Sequence, residues 1–224
     1  PLHEGCRYFL NKWVEPDEER WLPPGAWEAV QSDRTVPDGT QVVLGFDGSY
    51  SGDSTALVGA TVEEEPHLFV LGLWEHPGGG VAWKVDHDAV EATVHRAFSD
   101  FEVLEMSADP PYWSQQLMRW AELYGDEVVL AFNTAVRKRM AAAVSSFYHA
   151  ATSGGITHDG HPGLARHCDN AVIKESAQGA YIVKEDKASP RKIDAAIAAV
   201  IAFNRAAWHH QNPKADVKAG VFIV

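Results

Sequence analysis

The stretch QVVLGFDGSYSGDSTALVG, residues 41–59, decides the fold. Its first part, 41–47, is rich in β-branched and large apolar side chains and ends at Asp47, which predicts a strand. A turn rich in glycine and serine follows and leads into a second apolar stretch at 54–63, and a third such stretch covers 67–76. Three strands joined by short turns predict an antiparallel meander.

Downstream of this meander, helical and strand patterns alternate. Apolar residues recur at helical spacing from Val90 to Phe101, from Trp113 to Tyr124 and from Val136 to Ala151. Strand patterns at 102–109 and 127–132 separate these helices. The order β-β-β-α-β-α-β-α predicts an α/β fold: a mixed five-stranded sheet, three antiparallel strands and then parallel βαβ units, flanked by helices.

The remainder of the chain is less regular until one strong helix. We expect a loop rich in glycine and histidine at 154–163, then a short helix, then a hairpin over 171–186 that turns near Gly179. A final apolar helix is predicted over 190–208, with Ser189 as its cap and Pro190 at its first position. We therefore divide the chain into an arm or linker rich in tryptophan and proline (1–38), a main domain (39–210) and a tail (211–224).

Composition restricts the class of protein. The chain has 224 residues, 46% of them hydrophobic, which is typical of a globular protein. Its net charge of −12 argues against a broad basic surface that coats nucleic acid. An enzyme that reaches phosphate groups through metal ions stays compatible with this acidity. No apolar run approaches the roughly 18 residues that cross a bilayer, so we expect no membrane association. Cys6 and Cys168 are too few for a disulfide framework, which favours a reducing compartment.

Three aspartates interrupt apolar elements. Asp47 and Asp109 each stand at the carboxyl end of a predicted strand, the edge of an α/β sheet where ligands bind. Asp194 lies in a helix that is apolar nearly all round, and a buried carboxylate needs a cation, a helix N-terminus or a metal as its partner. If the three converge, their oxygens suit Mg²⁺ or Mn²⁺. The alternative is three unrelated residues: a turn aspartate, an aspartate before two prolines and a helix aspartate in an ion pair.

The turn at 47–55 has features of a phosphate-binding loop but not those of a P-loop. A P-loop needs a lysine before Ser or Thr and then a helix, whereas Asp53 takes the place of the lysine and a strand follows. Asp53 is either an auxiliary metal ligand or a turn former.

Four segments resemble the nuclease domain of phage terminase large subunits, the enzymes that package DNA in tailed viruses. They are LGFDGSYSGDSTALVG (44–59), SADPPYW (107–113), HPGLARHCDNAVI (161–173) and KIDAAIA (192–198). The resemblance implies a ribonuclease H-like fold and a metal-dependent endonuclease that cuts concatemeric double-stranded viral DNA. It implies that Asp47, Asp109 and Asp194 are catalytic and hold two Mg²⁺ or Mn²⁺ ions.

The resemblance also implies partners and a location. The partners are double-stranded DNA, a terminase ATPase domain, the small terminase subunit and the portal, all in the host cytoplasm. The 224-residue sequence contains no recognisable ATPase motif. We therefore expect the ATPase motor of packaging either on a missing part of a longer chain or on a separate chain.

Basic and histidine residues are candidates for DNA contact. The basic candidates, which otherwise belong to solvated helix faces, are Arg137, Lys138, Lys187, Arg191 and Lys192. The histidines near 158–167 do not have the spacing of a common zinc finger, so we expect them to form hydrogen bonds, with DNA contact by His161 or His167 as an alternative. We expect His209 and His210 at an exposed helix end.

Two other function classes stay open. An actin-like or sugar-kinase-like phosphotransferase also opens with such a hairpin and has the same underlying sheet order, and binding of a nucleotide would favour it. A docking module with a vestigial acidic site would bind terminase partners without cutting DNA.

Overall fold

The computed structural model describes residues 20–49, 54–77, 83–185 and 189–213. Eight strands and five α-helices, together with a short 3-10 helix at Glu28–Val30, make up these residues. The strands are β1 (Gln41–Asp47), β2 (Thr55–Thr61), β3 (His67–Trp74), β4 (Glu102–Ala108), β5 (Val129–Ala131), β6 (Thr157–His158), β7 (Ala171–Lys174) and β8 (Tyr181–Lys184). The helices are α1 (His87–Asp100), α2 (Ser114–Tyr124), α3 (Arg137–Ser153), α4 (Pro162–Asp169) and α5 (Asp194–Gln211).

The main sheet is mixed and has the order β5-β4-β1-β2-β3-β6. The pairs β1–β2 and β2–β3 are antiparallel, and β1–β4, β4–β5 and β3–β6 are parallel. The predicted meander and the βαβ units that follow it are confirmed. The predicted number of five strands is wrong, because Thr157 and His158 add β6 within the stretch expected to be a loop. A strand of two residues is too short to produce an alternating pattern in the sequence.

Each face of the sheet has its own apolar core. Val42, Leu44 and Phe46 of β1 join α1 and α2 on one face. Val43 joins α3, α4 and α5 on the other face. Since side chains alternate along a strand, β1 contributes to both cores, and its odd-numbered residues face α5.

The segment before β1 contributes aromatic anchors. Trp21 and Trp27 are buried, and their rings lie 4.9 and 6.0 Å from the ring of Phe147 on α3. These two tryptophans of the segment predicted as an arm or linker therefore pack onto the main domain. The domain boundaries at 38 and 210 stay a prediction.

The hairpin of β7 and β8 forms as expected, and Gly179 in its turn has φ 115°, a conformation that favours glycine. The start of the last helix differs from the prediction. α5 begins at Asp194, not at Pro190, because the Ser189 hydroxyl accepts a hydrogen bond from the Arg191 amide and the Lys192 carbonyl accepts one from Asn170. These contacts hold 189–192 outside the helix and place Asp194 in its first turn.

Candidate active site

The carboxyl ends of β1 and β4 lie side by side. Phe46 is paired with Ala108 in the parallel register, and the Asp109 amide donates to the Phe46 carbonyl at 3.1 Å. Asp47 and Asp109 therefore leave neighbouring strands at the same edge of the sheet. This is the edge at which α/β sheets bind ligands.

Helix α5 covers this part of the sheet at very short range. Gly45 shares a face with Asp47, and a Cβ on Gly45 would lie 2.1 Å from the Ala198 carbonyl oxygen. Glycine is required here because only its missing side chain lets the helix backbone approach the strand. This close approach carries the N-terminus of α5, with Asp194, toward the edge where Asp47 and Asp109 lie.

Asp194 is a buried carboxylate with a specific donor. It is 8% exposed, and its Oδ2 accepts a hydrogen bond from the Ser54 hydroxyl at 2.5 Å. Its position in the first turn of α5 adds the favourable field of the helix N-terminus. The sequence predicted that this carboxylate needs a partner, and the structure provides a hydroxyl from the start of β2 and a helix N-terminus.

Asp109 is held by Thr134, which lies in the loop between β5 and α3. Its Oδ1 accepts from the Thr134 amide at 3.2 Å, and its Oδ2 accepts from the Thr134 hydroxyl at 2.6 Å. Both carboxylate oxygens thus have donors that fix the orientation of the side chain. Pattern analysis did not identify Thr134, because it contacts Asp109 across 25 positions of the chain.

The three aspartates lie at one edge of the sheet, but their side chains are not grouped closely enough to hold a metal ion together. Throughout the residues that the structure describes, no three histidine, cysteine, aspartate or glutamate side chains lie close enough to hold a metal ion. Asp53 lies outside the described residues. The donor set nevertheless fits Mg²⁺, which typically binds one or two carboxylates and completes its shell with water and substrate phosphate. The assignment of Asp47, Asp109 and Asp194 as metal ligands stays a prediction.

The basic candidates have different surroundings. The Arg137 guanidinium lies over the Tyr181 ring, 4.6 Å from its centre, and Arg191 forms an ion pair with Glu185 at 3.1 Å. Lys138 is exposed, Lys192 is half-buried, and Lys187 lies outside the described residues. Their roles in DNA contact stay predictions.

A cavity of about 230 Å³ lies between the start of α3, β8 and α5. Arg137, Tyr181 and Ile197 line it, together with Thr134, the residue that holds Asp109. This cavity is thus next to the edge where the aspartates lie.

The histidines of the 158–167 region form hydrogen bonds, as expected. His161 caps α4 by accepting from the amides of Gly163 and Leu164. The side chain of His167 is fully buried, so the alternative that it contacts DNA is wrong. His167 instead contacts Glu75 and the Ala195 amide, at 2.9 Å each, and pattern analysis found neither contact.

Sequence reasoning also missed a buried ion network further along the same face. Glu105 of β4 accepts two hydrogen bonds of 2.7 Å from Arg205, one from His209 at 2.9 Å and one from Ser107 at 2.5 Å. Burial alone would raise the pKa of Glu105, but the hydrogen bonds from Arg205 and Ser107 outweigh it and lower the pKa below its ordinary value. His209 is 7% exposed, so its expected place at an exposed helix end is wrong.

Comparisons with known proteins agree with this architecture. Residues 78–210 match the family described as terminase large subunit, endonuclease domain. The Gene 13 protein of Mycobacterium phage L5 is 32% identical over 225 residues, which are 91% of this chain and 37% of that protein. The chain therefore spans little more than a third of the length of this relative.

Two solved structures show the same fold. The HK97 bacteriophage large terminase is 21% identical with a TM-score of 0.64, over 84% of this chain and 43% of that one. The large terminase nuclease from thermophilic phage G20c, solved with bound magnesium, is 13% identical with a TM-score of 0.53, over 84% of this chain and 94% of that one. The expected ribonuclease H-like α/β fold is confirmed. No helix within the described ranges has the length and apolar character that crossing a membrane requires.

Proposed function

The chain belongs to the family of terminase large subunit endonuclease domains, and on that premise we propose that it cuts concatemeric double-stranded viral DNA during genome packaging. The resemblance to phage terminase large subunits is confirmed by this match and by the phage relative. Family membership supports a nuclease role in packaging. The substrate, the reaction and the site residues named below are our proposal for this chain.

The observation that carries the proposal is the meeting of three elements at one sheet edge. β1 ends there at Asp47, Asp109 directly follows β4, and α5 begins there with the buried Asp194. We assign these three carboxylates as the catalytic residues that hold Mg²⁺ or Mn²⁺. The magnesium in the G20c nuclease of the same fold supports a divalent ion here. Two such ions, when bound, would supply a strong nucleophile at neutral pH and would stabilise the leaving oxygen of the phosphodiester.

The chain's own residues prepare this site. Thr134 orients both oxygens of Asp109, and Ser54 orients Asp194. Carboxylates that are already held in position lose little conformational entropy when the substrate binds, which favours the reaction.

DNA contact is assigned to basic residues near the site. The net charge of −12 predicts weak DNA binding by the isolated chain, since few phosphates are neutralised. We propose backbone contacts from Arg137, Lys138, Lys187, Arg191 and Lys192. The rest of the packaging machine, namely the ATPase domain, the small subunit and the portal in the host cytoplasm, then supplies the choice of cutting site.

The test replaces Asp109 and Asp194 separately by asparagine. Asp126→Asn is the matched control, because Asp126 is exposed and precedes β5, at the opposite end of the parallel pair β4–β5 from Asp109. We expect both site variants to lose plasmid cleavage in Mn²⁺ while keeping the thermal midpoint of unfolding within a few degrees. Asp126→Asn should cut like the parent. Normal cutting by either site variant removes that residue from the mechanism.

The same assay separates the alternatives. Absence of cutting by the parent chain at millimolar Mn²⁺, with intact binding of a terminase partner, would favour the docking module. A positive nucleotide titration would favour the phosphotransferase.

A further inference from the structure

Helix α5 begins with an apolar residue at its N-cap position. Ile193 occupies the N-cap position and makes no side-chain hydrogen bond to the helix. The first N–H groups of a helix need acceptors from elsewhere. The Ala195 amide finds one in Nδ1 of His167, 2.9 Å away on α4.

We propose that His167, anchored by Glu75, is a positioning residue that fixes Asp194 for DNA cleavage, an inference that rests on the proposed function. The Ala195 nitrogen belongs to the peptide bond that joins Asp194 to Ala195. The Asp194 Cα lies in the plane of this peptide group, so a hydrogen bond that holds the Ala195 amide also fixes the position from which the Asp194 side chain starts. The Ser54 hydroxyl fixes the other end, at the carboxylate.

The hydrogen bonds determine the tautomer of His167. Nδ1 accepts the Ala195 N–H and therefore carries no proton, so the proton of the neutral ring is on Nε2. Nε2 donates it to Oε1 of Glu75 at 2.9 Å. A carboxylate behind the imidazole, as here, is the arrangement that proteins use to orient a ring and raise its basicity as an acceptor.

Glu75 is well placed to be that anchor. It directly follows β3, which runs parallel to β1, so it lies at the same edge as Asp47. Its second oxygen accepts from the Arg166 guanidinium. Burial alone would raise the pKa of Glu75, but the hydrogen bonds from His167 and Arg166 outweigh it and lower the pKa, which keeps the acceptor ionised.

The same geometry argues against a direct role in binding metal or DNA. The His167 side chain is 0% exposed, and both ring nitrogens already have partners. Either direct role would break one of these bonds. A role through Asp194 requires both to stay intact.

Two substitutions separate the two bonds of the ring. Asparagine places its oxygen near Nδ1 and can keep the Ala195 bond, whereas glutamine places its amide near Nε2 and leaves Ala195 without an acceptor. His158→Gln is the matched control, because buried His158 has the same pattern: Nδ1 accepts from the Gly160 amide at 3.0 Å and Nε2 bonds the Trp27 carbonyl at 2.9 Å. Its bonds connect β6 to the N-terminal segment, away from α5.

The measurements are the Mn²⁺ dissociation constant, the hydrogen-exchange rate of the Ala195 amide in metal-free protein, and plasmid cleavage. We expect His167→Gln to weaken Mn²⁺ binding and cleavage by about 10–100-fold and to speed exchange at Ala195. His167→Asn should lose less on all three, and His158→Gln should leave Mn²⁺ binding unchanged even where it lowers the thermal midpoint. If a His167 variant does not fold, Glu75→Ala, at a side chain 28% exposed, should still weaken Mn²⁺ binding.

Unchanged Mn²⁺ binding in His167→Gln, or in Glu75→Ala where that variant is the one that folds, overturns the positioning role. If Asp194→Asn abolishes cleavage in the same experiment, the proposed function survives that failure. A parent chain that neither cuts DNA nor loses Mn²⁺ binding on Asp194→Asn overturns the proposed function itself.

Discussion

Replacing Gly45 by alanine tests whether the close approach of α5 to β1 is required. The added Cβ would lie 2.1 Å from the Ala198 carbonyl oxygen and 2.7 Å from the Ala202 nitrogen. Carbon and oxygen approach to roughly 3.3 Å in protein contacts, so the helix would have to retreat by about 1 Å. Both obstructing atoms belong to backbone, and no change of side-chain rotamer relieves the clash.

The expected loss of stability is large. Overpacking of a core costs about 1–3 kcal/mol and occasionally more, and a clash with helix backbone belongs at the upper end. At roughly 2–4 °C per kcal/mol for a chain of this size, about 3 kcal/mol lowers the thermal midpoint by about 6–12 °C. Because α5 carries Asp194, cleavage measured well below the midpoint should also fall, by about 100-fold for a displacement of about 1 Å.

Thermal and urea unfolding of the full chain measure the first effect, and plasmid cleavage in Mn²⁺ measures the second. Gly155→Ala is the control, since a Cβ there meets its nearest atom at 3.5 Å, an ordinary contact. That variant should be as stable as the parent or slightly more stable, by up to about 1 kcal/mol. A midpoint for Gly45→Ala within 2 °C or so of the parent value would refute the packing argument.

Three further outcomes follow from the contacts described above. Arg205→Leu leaves Glu105 charged and buried, so urea unfolding should show a loss of about 3–5 kcal/mol, and replacing Glu105 by leucine as well should recover part of it. The lowered pKa of Glu105 means that its stabilisation is present above its ordinary value of 4.5 and is lost as the pH falls below it. Glu105→Gln should therefore flatten the fall in unfolding free energy below pH 4.5, and an unchanged acid profile would contradict this account. Tyr112 is 74% exposed and has φ 67°, a left-handed conformation that costs a non-glycine residue about 1 kcal/mol. Tyr112→Gly should raise the thermal midpoint by about 2–4 °C and Tyr112→Ala should not; equal midpoints for the two would show that backbone strain is not the cause.

Local patterns in the sequence predicted most of the architecture. The alternation in β1, the helical spacing of α1 to α3 and the hairpin that turns at Gly179 all depend on residues within one element. The alternation of side chains along a strand also places Asp47 and Asp109 on the face that α5 covers. The parallel register confirms that their strands are neighbours. These features are visible in the sequence because each is produced by the side chains of one short segment.

The tertiary structure alone decided the environment of the candidate site. Ser54 contacts Asp194 across 140 positions, His209 contacts Glu105 across 104, and His167 contacts Ala195 across 28. The start of α5 depends on such contacts as well, because Ser189 and Asn170 hold the preceding residues outside the helix. The sequence indicated that Asp47, Asp109 and Asp194 are unusual, since a charge within or at the end of an apolar segment is a local feature, but it did not single out Glu105. Folding determined their partners, because hydrogen-bond donors from distant parts of the chain meet them only when the sheet and α5 are packed together.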